Sequence, residues 1–377
     1  MALKRVLYKS CLLSIVLAIT NACFVENAFG ADKNHNKYQK WDFKVSQAFI
    51  YDNNILKYSD NYINLFVSEL NPGRFNINTY DDFVLNSSLR ASYTVNLIKN
   101  LKTTINVNAN YKTYTHNNIK NWGQVSLGLK QHITKKSSIK FQYNYIPDYY
   151  IKHFRDNDWV NIYGYQPFTF KPFSFTKNSY ELKYQNTLFN NTKLFLTFSV
   201  IQLFYNENFT EYDCNNLSYS IRINQPINKT VTVETGYRFI NSNAKGYVQP
   251  DGDKNSSPYA DASNNDNTFY LGLGMKLPRV LKLKSSLKIK ASFGKRLYKS
   301  EKSIVIDPLH VGRNDNNYRI NFLYKIRPTK NLSVYGFYTF YKRNTGSDYN
   351  INKKYISNEK DYTQYQTGLG ITYNFSL

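Results

Sequence analysis

Cysteine is nearly missing from this 377-residue chain: Cys11 and Cys23 lie in its N-terminal segment and only Cys214 lies beyond it. An exported chain with one remaining cysteine forms no internal disulfide, so backbone pairing and burial must hold the fold. Long apolar runs are also missing. The run from Cys11 to Ile19 is well short of the roughly 20 residues that a membrane-spanning helix needs, and mean hydropathy is −0.55. Acidic residues are few, 26 against 49 Lys and Arg, for a formal charge of +23. Such basicity is the usual mark of a nucleic-acid binder. The N-terminus argues otherwise.

Lys4, Arg5 and Lys9 precede the apolar run, and Ala28-Phe29-Gly30 offers small residues at the −3 and −1 positions of a cleavage site. This is the pattern of a secretory signal peptide. Lipidation at Cys23 is the lesser alternative, because Thr20-Asn21-Ala22 lacks the aliphatic residue such a site carries. Cleavage after Gly30 takes 30 residues from 377 and leaves 347. The first 30 residues hold Lys4, Arg5, Lys9 and Glu26, or +2, so the remainder keeps +21 of the +23. Export removes nucleic acid as a partner. The expected organisation is a signal peptide at 1–30, a short periplasmic segment at 31–40 and one β domain at 41–377.

What is abundant is aromatic: 35 Tyr and 25 Phe. Their spacing is periodic. From Phe83 to Leu97 the odd positions carry Phe83, Leu85, Ser87, Leu89, Ala91, Tyr93, Val95 and Leu97, while the even ones carry Val84, Asn86, Ser88, Arg90, Ser92, Thr94 and Asn96. Period two is a strand. After Ile98-Lys99-Asn100 the alternation resumes from Leu101 to Lys112, which makes a hairpin. Similar pairs follow at Val125–Ile133 with Ile139–Tyr145, where Pro147 is expected to end the strand. Further pairs are Tyr180–Leu188 with Leu194–Phe204, Leu217–Ile223 with Val231–Phe239, Phe269–Leu277 with Leu283–Phe293, and Tyr318–Ile326 with Leu332–Phe340. A first strand at Trp41–Tyr51 and a last at Tyr362–Leu377 bring the total to about fourteen.

Connections alternate in length. Tight turns at Asn190-Asn191-Thr192, Ile227-Asn228-Lys229, Pro278-Arg279 and Pro328-Thr329 stand against long loops at about 52–80, 151–177, 241–267, 298–316 and 343–361. A sandwich has no reason to sort its loops by end, whereas a membrane barrel has short periplasmic turns and long extracellular loops. The expected fold is therefore an all-β transmembrane antiparallel up-and-down β-barrel. Lys or Arg on the lipid face costs about 2–4 kcal/mol at the bilayer midplane, so charge belongs inside. Arg90, Lys112, Lys130, Arg222, Arg238, Lys276, Lys288, Lys290 and Arg319 all fall on the polar parity of their strands, with only Asp42, Glu181 and Glu234 to balance them. A lumen of that sign attracts anions. Trp41, Trp122, Tyr180, Tyr205, Tyr298 and Tyr365, near strand ends, are candidates for the interfacial aromatic girdles.

The C-terminus alternates Leu369, Ile371, Tyr373, Phe375 and Leu377 with smaller or polar residues. It resembles the C-terminal assembly signal of Gram-negative outer-membrane β-barrel (porin-like) proteins, although that pattern ends in Phe and here Phe375 precedes a terminal Leu377. Tyr51-Asp52-Asn53-Asn54-Ile55 is similar to the opening of porin-like barrels. These resemblances imply a bacterial outer-membrane location, recognition by the barrel-assembly machinery and periplasmic chaperones, and outer-membrane lipid and lipopolysaccharide as surroundings. They imply no solute.

Covalent chemistry finds little support. His35, His116, His132, His153 and His310 belong to no local motif with a nucleophile and base. Asp251-Gly252-Asp253-Lys254-Asn255 opens like a calcium loop, yet Ser256 and Ala262 stand where Gly and Glu are required. No Cys/His cluster suits a metal, and no cofactor or enzymatic activity is expected. The sequence thus reads as a passive channel for small anionic solutes. The alternative is a non-conducting barrel acting as adhesin, receptor or envelope component through its long loops, of which 151–177 is notably aromatic, with Phe154, Trp159, Tyr163, Tyr165, Phe168, Phe170 and Phe173.

Overall fold

The computed structural model describes residues 40–70, 72–98, 101–155, 170–244, 260–280 and 283–377. Fourteen strands close on themselves, each antiparallel to both neighbours. They are β1 (Lys40–Asp52), β2 (Asp82–Ile98), β3 (Leu101–Tyr114), β4 (Trp122–His132), β5 (Ser137–Phe154), β6 (Lys171–Thr187) and β7 (Lys193–Tyr205). The second half comprises β8 (Cys214–Pro226), β9 (Val231–Ala244), β10 (Asn264–Val280), β11 (Leu283–Tyr298), β12 (Arg313–Arg327), β13 (Leu332–Ser347) and β14 (Tyr362–Ser376). Two helices, α1 (Asp60–Val67) and α2 (Asn350–Lys360), lie in the β1–β2 and β13–β14 connections. The expected signal peptide, its cleavage site at Ala28 and Gly30, and segment 31–39 lie outside the described residues.

Closure is made by β1 on β14, in register from Asp42↔Ser376 to Asp52↔Gln366. Trp41 and Leu377 extend it by exchanging backbone hydrogen bonds of 3.0 and 2.9 Å. A closed ladder leaves no edge, the condition for strands to cross a membrane. Parity sorts the side chains as the alternation predicts. Phe49, Phe83, Leu127, Phe141, Leu182, Leu271, Phe322 and Leu369 are exposed on the outer face. Their strand neighbours, among them Ala48, Ile50, Val84, Ser126 and Thr372, are buried inside. Of the five assembly-signal residues, Leu369, Ile371, Tyr373 and Leu377 are exposed, and Phe375 shares their parity and stacks on Phe43 at 5.0 Å.

Four sequence expectations need correction. Pro147 does not end β5, which runs on to Phe154. Lacking an N–H, Pro147 is passed over by the ladder, whose register shifts between Ile146 and Tyr149, while its carbonyl accepts from Thr176 Oγ1 at 2.6 Å. Pro278-Arg279 is likewise inside β10, at a register shift between Leu277 and Val280, and the ladder with β11 continues to Val280 opposite Leu283. The loops are shorter than the loss of apolar alternation suggests, because the strands run on with the outward apolar pattern lost or reversed, as in β6, where Phe173 and Phe175 take the inward parity. β5 and β6, for example, leave only 155–170 between them. Finally, Trp122, Tyr205 and Tyr298 share the inward parity of their strands and form no outer girdle: Trp122 lies over the Lys112 ammonium and Tyr298 over Arg313.

Candidate functional site

Every strand from β4 to β12 places a cation on its inward parity in its turn-side half or near its middle: Lys130, Lys140, Lys183, Lys193, Arg222, Arg238, Lys276, Lys288 with Lys290, and Arg319 with Lys325. In that turn-side half and middle the inward acids are Glu181 and Glu234; nearer the loops Asp266 of β10 and Asp315 of β12 also lie on the inward parity, paired with Arg296 at 3.0 Å and Arg313 at 2.7 Å. Three of the cations predicted from sequence are brought together. Lys290 Nζ lies 2.9 Å from Glu234 Oε1, and Arg222 and Lys288 each lie 4.0 Å from Oε2. Both flanks are fixed by rings, with the Arg222 guanidinium 4.0 Å above Phe195 and Lys290 Nζ 4.1 Å above Tyr270. Such cation–π contacts stiffen long side chains that would otherwise sample many rotamers.

The reach of Lys290 depends on what lies beneath it. Glu234 on β9 and Lys290 on β11 both pair with Gly272 of β10. With no side chain at Gly272, the ammonium crosses an intervening strand to reach the carboxylate. A Cβ added at Gly274, opposite Lys288, would meet only the Thr232 carbonyl at 3.8 Å.

The other predicted cations are distributed around the wall. Lys130 pairs across strands with Lys140, and Lys140 with Lys183. Like charges directly opposite one another are unfavourable, and here Glu181 offsets them, 2.8 Å from Lys183. Arg90 lies opposite Lys44 and donates to Ser92 Oγ at 3.3 Å. Arg238 pairs with Ser220 and Thr268 in the ladder. Arg319 stacks 4.8 Å over Tyr341 and donates to Asn321 at 3.0 Å. Lys276 is tied to the turn, donating to the Lys229 carbonyl at 2.9 Å. Lys44, Lys140, Lys183, Lys193 and Lys325 were missed in the sequence, although the parity rule extended to every strand finds them.

At the opposite, loop-bearing end, described segments of several connections fold inward against the wall. Ile55, Leu56, Tyr58 and Tyr62 of the β1–β2 connection are buried against the inward side chains of Ala48, Ile50, Val84 and Tyr114. Asn54, 1% exposed, anchors this segment. Its Nδ2 donates to the Tyr58 carbonyl at 2.8 Å and the Thr363 carbonyl at 3.1 Å, and its Oδ1 accepts from Tyr58 N at 2.8 Å. Gln364 Nε2 bridges the Asp52 carboxylate, at 2.8 Å to Oδ1, and the Asn54 carbonyl, at 2.9 Å. α1, capped by Ser59, meets α2 through the Ser59 hydroxyl, which donates to the Asn358 carbonyl. Arg74 reaches Glu359 at 3.7 Å and covers the Tyr62 ring at 4.4 Å. A third connection adds Phe209 and Tyr212 to an aromatic cluster with Phe154, Phe173 and Tyr205. Trp159, Tyr163, Tyr165 and Phe168 of the same aromatic loop, and the acids Asp251 and Asp253, lie outside the described residues.

Several ionisable groups that lie between strands at this end are strongly perturbed, among them Asp213 and Lys120. Burial pushes the Asp213 carboxyl up to about 7 despite a hydrogen bond from Tyr205 N. Burial, with the nearby Lys57 charge, pulls the Lys120 ammonium down to about 7. The histidines on the loop side have separate partners: His116 with Asp82 at 3.1 Å, His153 with the Tyr150 hydroxyl at 2.7 Å and His310 with Asp307 at 2.8 Å. Among the described residues no group of three or more His, Cys, Asp and Glu could hold a metal ion.

No protein-family model matches the chain, and no curated protein sequence matches it. Solved structures similar to it are outer-membrane proteins. One described as a bacterial polysaccharide outer membrane secretin is 8% identical, with a TM-score of 0.46, covering 89% of this chain and 98% of that one. The outer membrane channel DcaP of Acinetobacter baumannii is 12% identical with a TM-score of 0.44, covering 90% and 97%. The anion-selective porin from Comamonas acidovorans is 9% identical with a TM-score of 0.42, covering 90% and 100%.

Proposed function

We propose that the protein is a porin-like passive channel of the bacterial outer membrane whose basic lumen favours small anionic solutes. The observation that carries this reading is the inward cation in the turn-side half or middle of each consecutive strand from β4 to β12, opposed at that level by Glu181 and Glu234, while the inward acids Asp266 and Asp315 nearer the loops are paired with Arg296 and Arg313. A soluble barrel has no reason to turn an apolar belt outward and gather charge inside, whereas a lipid-embedded one pays several kcal/mol for the reverse. Within the lumen the cations raise local anion concentration and oppose cation entry. The inward-folded β1–β2 and β13–β14 connections act as the constriction through which solutes must pass.

The test is single-channel recording in planar bilayers under a salt gradient. The wild type is expected to show stable anion-selective steps. Around Glu234, the cations Arg222, Arg238, Lys288 and Lys290 give net +3 with the carboxylate included. Changing Arg238, Lys288 and Lys290 to Glu makes it −3. The reversal potential should change sign. A folded barrel without conductance refutes the channel.

A further inference from the structure

We propose that the Glu234 cluster is a dwell site for a phosphoryl dianion, either free phosphate or the head of a phosphate monoester. This rests on the channel reading for the route by which the ion arrives. Three features distinguish the cluster from an ordinary wall of lysines. First, its charge is set: Arg222, Lys288 and Lys290 around a single carboxylate leave +2. A phosphoryl group near neutral pH carries about −1.5 to −2, so one such ion neutralises the site where chloride would leave a surplus. Second, the geometry is sided. Glu234 is 8% exposed in its side chain and sits on the wall, while the side chains of Arg222, Lys288 and Lys290 are 33%, 52% and 35% exposed. The cations therefore hold donors toward the lumen beyond those given to the carboxylate.

Third, there is room. Gly274, opposite Lys288, leaves a stretch of wall without a side chain, where an added Cβ would meet only the Thr232 carbonyl at 3.8 Å, and glycine in a strand interior marks a place where a ligand can approach the backbone closely. Glu234 acts as a positioning residue and as a tethered competitor. It draws three cations to one point and holds their field below the level at which an arriving dianion would be trapped.

The first readout does not depend on conduction. The refolded full-length barrel is heated in detergent at constant ionic strength, with chloride exchanged for inorganic phosphate or for glycerol 3-phosphate. Either phosphate form is expected to raise the unfolding midpoint, and which of them does so identifies the source. Arg222→Gln should weaken this effect about tenfold in phosphate concentration, the loss expected for one charge-assisted hydrogen bond. Gly274→Val, which fills this stretch of wall and suits a strand, should abolish it. Glu234→Gln should tighten it and, in bilayers, turn brief phosphate blockades of chloride current into long ones. A midpoint that follows ionic strength alone overturns the proposal, as does a phosphate effect surviving both Arg222→Gln and Gly274→Val. Anion-selective chloride current with no phosphate response removes the dwell site and leaves the channel. A silent barrel that still responds to phosphate does the opposite.

Discussion

Replacing Asn54 by Ala should loosen the inward fold of the β1–β2 connection while leaving the barrel closed. The size of the effect follows from the contacts. The substitution removes three hydrogen bonds, two donated by Nδ2 at 2.8 and 3.1 Å and one accepted by Oδ1 at 2.8 Å. All three lie where Asn54 is 1% exposed, so water does not replace them freely. At about 1 kcal/mol net for each such bond, the docked segment loses about 3 kcal/mol. That corresponds to roughly a hundredfold more frequent opening. Docking itself survives, because Ile55, Leu56, Tyr58 and Tyr62 stay buried against the inner wall and full burial of an apolar side chain stabilises by about 1.5–3 kcal/mol.

Hydrogen exchange at the amides of Tyr58 and of α1 is the direct assay. Exchange there should rise about a hundredfold by the same arithmetic, while amides in the middle of β8 to β11 keep wild-type protection. In bilayers the same variant should show brief excursions to larger conductance, as expected if this segment narrows the lumen. Asn54→Asp keeps the acceptor for Tyr58 N but sets a buried carboxylate oxygen against the Tyr58 and Thr363 carbonyls, so it should loosen the segment more than Asn54→Ala does. Exchange that is unchanged in Asn54→Ala, or that rises equally in every strand, would refute the idea that this residue holds a separately opening constriction.

Three further outcomes are expected. Val107→Lys on the outer face should lower stability in lipid vesicles by about 2–4 kcal/mol, whereas Asn108→Lys, inward and opposite Arg90, should cost less than about 1 kcal/mol of like-charge repulsion. Equal urea midpoints for the two would mean that the outer belt does not face lipid. Asp213, with its carboxyl raised to about 7 by burial, binds a proton in the folded state that the unfolded chain releases near pH 4, so its burial destabilises increasingly as pH rises from about 4 to 7. Asp213→Asn keeps the acceptor for Tyr205 N and should therefore gain little at pH 4 and about 2 kcal/mol above pH 7, after allowing for solvent screening. Unfolding midpoints that differ equally at both pH values would contradict it. The charge reversal at Arg238, Lys288 and Lys290 should change anion-to-cation permeability roughly a hundredfold, since each ion's partitioning moves about tenfold in opposite directions when the local charge changes sign. A reversal potential of unchanged sign would place the controlling field elsewhere.

The barrel was legible because its constraint is local and repeated. Lipid on one side and a polar interior on the other force period two onto each strand, and residues such as Leu127, Gly128 and Leu129 carry that pattern within a few positions of one another. The errors arise where the local pattern and the three-dimensional constraint separate. Beyond the outer apolar belt nothing requires alternation, so the far ends of β5, β6, β9 and β10 read as loop. Pro147 reads as a terminator because a short window cannot show that the ladder resumes beyond a shifted register. Trp122, Tyr205 and Tyr298 read as girdle residues from their place near strand ends, although counting parity along β4, β7 and β11 puts them inside.

The site was legible in its parts and hidden in its assembly. Parity alone put Arg222, Glu234, Lys288 and Lys290 on the inner wall, but their meeting requires the register of four strands and the missing side chain at Gly272, facts spread over 56 residues between Glu234 and Lys290. The constriction was harder still. Asn54 and Thr363 are 309 residues apart, and Ser59 and Asn358 299, because the first and last strands become neighbours only when the barrel closes. Tyr51-Asp52-Asn53-Asn54-Ile55 stood out in sequence only as similar to the opening of porin-like barrels, and the structure gives two of its residues a physical role: Asp52 and Asn54 join the start of the barrel to its end through Gln364 and Thr363. Closure of the sheet and docking of the constriction thus share the same side chains, and that sharing makes hydrogen exchange on either side of Asn54 a sharp test of whether the two can be separated.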